Sequence, residues 1–114
     1  MHLNFTAKST SYAEALGGDI IQLTFEEYES EDIYNPTALY LLISINYEFP
    51  PFTPSVEWFD GNEENGGAEI LNYKIINNSL QLWLNNNLSF DISFSVNEET
   101  FKNIEAFLLS ATKK

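Results

Sequence analysis

Carboxylates are the most abundant side chains in this chain that could take part in chemistry. The 114 residues contain 17 aspartates and glutamates against five lysines, which gives a formal net charge of −12 and a sequence pI near 4.1. Arginine and cysteine are absent, and His2 is the single histidine. The chain therefore lacks thiolate nucleophiles and soft metal ligands, and it has few cationic groups with which to hold a phosphate. This composition is suited to binding a basic partner.

Paired carboxylates can act as general acid and base when their surroundings separate their pKa values. With 17 carboxylates, many pairs arise by chance, and no motif selects one of them. His2 stands beside Met1 at a chain terminus, where a side chain is poorly positioned for catalysis. The sequence therefore predicts no catalytic residue and no enzymatic activity.

The segment 60–67, DGNEENGG, contains the oxygen ligands that Ca²⁺ prefers. It lacks the carboxylate spacing of an EF-hand loop, and it has neither the glutamate at the twelfth position nor the two flanking helices. A zinc site is weaker still, because the chain has one histidine and no cysteine. We expect no metal site and no other cofactor.

Two acidic segments are candidates for a partner-binding surface. The first lies at the end of a predicted strand and in the loop after it, and the second surrounds Trp58, a residue type enriched at interface hot spots. The predicted contact residues are Glu26, Glu27, Glu29, Glu31, Asp32, Trp58, Asp60, Glu63 and Glu64. The alternatives are that these charges only keep the chain soluble, and that Trp58 or Phe59 belongs to the core.

Alternating apolar residues predict the strands that would position these segments. The longest alternation has six apolar positions from Leu39 to Phe49 and predicts a central strand. Shorter alternations predict strands within 3–7, 19–26, 56–59, 68–76, 80–84 and 88–96. The segment 8–18 has no clean period, and 60–67 is expected to be a polar loop.

The period changes near the C-terminus, where Phe101, Ile104, Leu108 and Ala111 recur at helical spacing after Asn97, a good N-cap residue. The sequence thus predicts a single domain over residues 1–114 with an α+β fold. We expect a mainly antiparallel sheet of about six strands with one C-terminal helix packed on it. The predicted core consists of Leu23, Phe25, Leu41, Ile43, Ile45, Leu82, Phe90, Ile92, Phe94, Phe101, Ile104 and Leu108.

The chain shows no secretory signal, because no basic segment is followed by a long apolar run. No apolar stretch approaches the roughly 20 residues that span a bilayer. We therefore expect a cytoplasmic protein. Its negative charge argues against nucleic acid and membrane lipid as direct ligands. The oligomeric state does not follow from the sequence.

From Val56 to Thr112 the chain runs through VEWFDG, a glycine-bearing loop, ILNYKII and LQLWL, and then through LSFDISFSV into the helix NEETFKNIEAFLL. These patterns of size and polarity resemble small bacterial immunity proteins of the polymorphic-toxin and contact-dependent-inhibition systems. The order of the elements resembles the immunity protein 10 family in particular. The residues before Val56 add acidity and length to this resemblance.

The resemblance implies a cytoplasmic protein that binds one cognate toxin domain, often a nuclease, and blocks its active site or substrate groove. The charge agrees independently, because a nuclease groove must be basic to hold phosphates. Other functions stay open. An acidic inhibitor or nucleic-acid mimic acting on a host enzyme would space its carboxylates like phosphates. A small ligand-binding α+β domain would have a deep pocket, and a subunit of a larger assembly would expose a broad apolar surface.

Overall fold

The computed structural model describes residues 2–27, 39–48, 54–60, 63–76, 78–85 and 87–112. These residues form an α+β fold with nine strands and one α-helix, α1 (Glu98–Thr112). The strands are β1 (His2–Thr6), β2 (Ser9–Ala15), β3 (Ile20–Glu26), β4 (Tyr40–Asn46), β5 (Ser55–Phe59), β6 (Glu64–Ala68), β7 (Ile70–Ile76), β8 (Ser79–Leu84) and β9 (Ser89–Ser93). The predicted fold class is confirmed, and the number of strands is higher than the six expected.

The strands form two sheets rather than one. The four-stranded sheet has the order β1-β9-β8-β7, and the five-stranded sheet has the order β2-β3-β4-β5-β6. In the described residues β1 pairs with β9 in parallel, and the remaining pairs of neighbours are antiparallel. The strand β4 is central in the five-stranded sheet, as its long alternation predicted.

Two continuous segments of chain pass from one sheet to the other. Between β1 and β2, the Ala7 amide donates to the Ser93 carbonyl in one sheet (2.7 Å), and the Lys8 amide donates to the Glu26 carbonyl in the other (2.9 Å). Glu69 alone separates β6 from β7. If β1 with β2 and β6 with β7 are each counted as one segment, the nine strands form seven segments. Each segment pairs with the next one along the chain, and the last segment, β9, pairs with β1 of the first, so that the strand pairing forms a closed circuit. Consecutive segments run in opposite directions, so the seventh segment runs in the same direction as the first. For this reason β9 pairs with β1 in parallel.

The core lies between the inner faces of the two sheets. The Trp58 ring of β5 meets the Phe90 ring of β9 edge-on with centroids 6.3 Å apart, and Phe25 meets Phe94 in the same way at 5.2 Å. The predicted core is confirmed, with Phe101 partly rather than fully buried. Burying each large apolar side chain contributes about 1.5–3 kcal/mol. The inner faces therefore hold the two sheets together.

The helix packs beside β2 and β7, which are edge strands of different sheets. Its predicted cap is confirmed, because the Asn97 Oδ1 accepts a hydrogen bond from the Thr100 amide at 2.7 Å. The Phe107 ring meets the Tyr12 ring of β2 edge-on at 6.2 Å, and Tyr47 and Ser110 share a hydroxyl hydrogen bond of 3.2 Å. The helix thus lies beside an edge strand of each sheet and adds Ile104, Phe107 and Leu108 to the core.

Two strands form where the sequence predicted none. Ser9–Ala15 lies within the segment without a clean period and forms β2, and Glu64–Ala68 lies mostly within the predicted loop and forms β6. Both are edge strands that bury little of either face, so neither needs strict apolar alternation. Pairing with β3 and β5 holds them extended, because strand formation depends more on neighbours than on intrinsic propensity.

Candidate functional site

The five-stranded sheet brings the two acidic segments to the same end of one face. A single row of paired residues crosses four neighbouring strands in the order Glu26, Tyr40, Phe59 and Glu64. Since neighbouring strands lie about 4.7–4.9 Å apart, Glu26 and Glu64 are separated by roughly 14 Å of backbone. We call Glu26, Tyr40, Leu42, Glu57, Phe59 and Glu64 the acidic face.

Strand alternation places these side chains on the outside of the molecule. Phe25, Leu41 and Trp58 are buried on the inner face, so the residue next to each of them points the other way. The next row of the outer face contains Leu42 paired with Glu57. Carboxylates therefore surround a partly apolar centre.

Two aromatic rings form that centre. Tyr40 and Phe59 stack with centroids 6.2 Å apart and an angle of 17° between their planes, and both are half-buried. Glu26 precedes this pair in the row and Glu64 follows it. An arginine or lysine side chain can contact an aromatic ring and a carboxylate together. The row therefore has the chemistry to hold cationic side chains of a partner.

Glu57 and Glu64 concentrate negative charge at the β5–β6 side of the acidic face. Glu57 pairs with Gly66, two residues after Glu64, so the two glutamates are diagonal neighbours at roughly 7–8 Å. Both side chains are exposed. Their mutual repulsion is relieved when a cation lies between them, which favours a basic partner.

Glu27, Asp60 and Glu63 lie at the same end of the sheet, and their groups help to hold the chain. The Glu27 Oε1 accepts from the Leu39 amide at 3.1 Å. The Asp60 Oδ1 accepts from the Glu63 amide at 2.8 Å and supports the turn between β5 and β6. Of the other predicted contacts, Glu29, Glu31 and Asp32 lie outside the described residues.

Trp58 is not an exposed anchor. Its side chain is 5% exposed and packs in the core, whereas Phe59 lies on the acidic face. The sequence contained a signal for this arrangement. Alternate residues of a strand lie on the same face, so Val56 lies with Trp58 on one face and Glu57 lies with Phe59 on the other. The predicted contacts did not include Tyr40, Leu42, Glu57 and Phe59, which the pairing of the strands brings onto the same face as Glu26 and Glu64.

The described residues give less support for a small-molecule or metal site than for a protein-binding surface. An open depression of about 460 Å³ near the start of α1 is lined by Asn78, Val96, Asn97, Glu98 and Phe101. It is wide open to solvent and includes the helix cap, unlike the enclosed pockets that hold small molecules. In the parts of the chain that the structure describes, no group of three histidines, aspartates or glutamates could hold a metal ion.

The outer face of the four-stranded sheet has exposed apolar residues, but polar ones separate them. Trp83 is 39% exposed and Ile76 is 55% exposed, and the paired residues Lys74 and Gln81 lie between them. The sole histidine, His2, is also on this sheet, with its Nδ1 2.7 Å from the Ser89 Oγ. The face is therefore a mixed surface rather than the broad apolar one that an assembly subunit would expose.

None of the described residues lies in a helix with the length and apolar character needed to cross a membrane. Comparison of the chain with protein-family models, with curated proteins and with solved structures found no match.

Proposed function

We propose that this protein is a non-catalytic inhibitor that binds a basic toxin domain in the cytoplasm through its acidic face. The observation that carries the proposal is the row Glu26, Tyr40, Phe59 and Glu64, in which carboxylates border a stacked aromatic pair. The resemblance of the sequence to immunity proteins supports the choice of a toxin as partner.

Binding would work by occlusion. Lysines and arginines that hold a phosphate-bearing substrate would instead meet the exposed carboxylates Glu57 and Glu64. The Tyr40–Phe59 pair would lie at the centre of the contact, where aromatic side chains contribute most to affinity. The toxin would then be unable to bind its substrate, and no bond would need to be broken.

The size of the face sets how much of the molecule must take part. The whole outer face of the five-stranded sheet, of which the acidic face is one end, covers roughly 500 Å², because it has five strands at about 4.8 Å with five to seven residues each at about 3.3 Å. A stable interface buries about 800 Å² on each partner. The contact must therefore extend beyond the sheet, and the turn residues Asp60 and Glu63 lie next to it. Long-range attraction from the net charge of −12 would raise the association rate.

The test is co-expression with the product of the neighbouring gene, which the proposal expects to be the toxin. We expect the wild-type protein to protect cells and the double variant Glu57→Lys/Glu64→Lys to lose protection and binding. The matched control is Glu99→Lys/Glu105→Lys, which makes the same charge change at exposed positions of α1. Equal loss in both variants would mean that only net charge matters. Failure of the wild type to protect would refute the proposal.

Association kinetics provide a second readout. If the acidic face steers the toxin, the association rate should fall as salt rises towards about 0.15 M, where screening acts over about 8 Å. The dissociation rate should change less. If salt instead changes the dissociation rate more than the association rate, a buried charge pair rather than long-range steering would be responsible.

A further inference from the structure

The strand β6 is an edge strand of the five-stranded sheet, and among the described residues it is paired on one side only, with β5. Glu64, Asn65, Gly66 and Gly67 are all exposed. Two of these residues have no side chain to shield the backbone. The other edge of β6 therefore presents amide and carbonyl groups that can pair with another chain.

Two of the three other edge strands in the described residues lie beside the helix. The helix α1 packs beside β2 and β7. In β6 there is neither a proline nor a lysine, which are common edge protectors. The strand has a β-bulge near its C-terminal end. Val56 pairs with Ala68 and Glu57 pairs with Gly66, so Gly67 is an extra residue, and its φ is +87°. The bulge bends the chain towards β7 and leaves the segment from Glu64 to Gly66 paired in regular register.

We propose that β6 binds an extended segment of the partner, rich in lysine or arginine, as a sixth strand of the sheet. This inference rests on the proposed function and gives it a binding mode. Side chains of the added strand next to Glu64 and Gly66 would lie on the acidic face, within reach of the Glu57 and Glu64 carboxylates. Backbone hydrogen bonds would supply affinity, and the charges would supply specificity.

Charge complementarity selects a basic partner over a second copy of this chain. Pairing of β6 with β6 of another molecule would bring Glu64 and Glu57 of both copies together at one seam. Like charges placed opposite each other across strands are destabilising. A lysine- or arginine-rich strand replaces that repulsion with attraction.

The test uses a synthetic peptide of alternating lysine and threonine, about as long as a typical strand of 5–6 residues. Two further peptides carry N-methyl groups on alternate residues, one on the odd positions and one on the even positions. Only one of the two sets can point its amides at β6. We expect the unmodified peptide to shift the amide resonances of the segment from Glu64 to Gly66, and one methylated peptide to bind roughly tenfold more weakly or worse. The other should bind like the unmodified peptide.

Three results would overturn strand addition: no binding of the unmodified peptide, equal binding of the two methylated peptides, or resonance shifts that leave out β6. The full chain with Glu57→Lys/Glu64→Lys separates the two proposals. If this variant abolishes peptide binding and N-methylation does not affect it, the acidic face is still the binding site but strand addition is excluded. If the peptide adds to β6 as a strand but the wild-type protein does not neutralise the toxin, the binding site at β6 stands and the proposed function is excluded.

Discussion

Glu57 packs over Gly66, so that a Cβ atom added at Gly66 would lie 3.3 Å from the Glu57 Cγ. The missing side chain at Gly66 gives the stem of Glu57 its place on the acidic face. Gly67, the next residue, is needed for another reason: its φ of +87° is rarely adopted by residues with a side chain. Two adjacent glycines thus serve different purposes, one for space and one for backbone conformation.

We predict that Gly66→Ala and Gly67→Ala differ in stability. In Gly66→Ala, the entropy lost from the unfolded chain stabilises by about 0.4–1 kcal/mol and offsets the crowding of Glu57. In Gly67→Ala, the left-handed conformation costs about 1–2 kcal/mol. Urea unfolding of both variants measures the difference. Equal free energies of unfolding would show that the bulge at Gly67 is not strained by a side chain.

Trp58 and Phe59 should respond differently to truncation, because they lie on opposite faces of β5. Trp58→Ala removes a buried ring that contacts Phe90 and should cost about 3–5 kcal/mol of folding free energy. Phe59→Ala removes a half-buried ring, so it should cost clearly less while weakening partner binding more. Thermal unfolding and binding of the proposed toxin partner, measured for both variants, test this. A larger stability loss in Phe59→Ala would contradict the assigned faces.

The helix cap should contribute measurably to stability. Asn97→Ala leaves the Thr100 amide without its side-chain acceptor and should lower the free energy of unfolding by about 0.5–2 kcal/mol. Asn97→Asp keeps an acceptor and is the matched control. Hydrogen exchange at the first turn of α1 should speed up in the alanine variant alone. Unchanged exchange would show that the cap does not hold the helix start.

Tyr12 should make stability depend on pH in the alkaline range. Its partial burial raises the pKa of the phenol above the ordinary value of 10.0. The Glu14 carboxylate raises this pKa further, because it is negatively charged and its Oε1 accepts a hydrogen bond from the Tyr12 hydroxyl at 3.3 Å. The folded state therefore keeps this proton when the unfolded chain has begun to lose it. The resulting stabilisation is complete below pH 10.0 and is lost as the pH rises through the folded pKa.

The matched variant for this effect is Tyr12→Phe, which keeps the ring against Phe107 but has no proton to lose. Above pH 10.0, the free energy of unfolding should fall less steeply in the variant than in the wild type. Chemical unfolding at several alkaline pH values checks this. Parallel pH profiles would show that another group is responsible for the alkaline loss.

Much of the fold could be predicted from local patterns, because a strand that buries one face must alternate. The long alternation after Leu39 identified the central strand β4, and Asn97 with the following helical spacing identified α1. The edge strands β2 and β6 could not be found in this way. Each buries little, so its sequence is free of the constraint that makes central strands recognisable.

The amino-acid sequence alone is enough to derive the charge of the protein and the alternation of the strands that bury one face, and in β5 this alternation places Glu57 and Phe59 on the same face. The row that joins Glu26 and Glu64 through Tyr40 and Phe59 follows only from the pairing of the strands in the folded protein. The reason is that register between strands depends on how whole faces pack in the core, and residues far apart in sequence contain no local record of it. The closing of the circuit by the parallel pair β1 and β9 was decided in the same way.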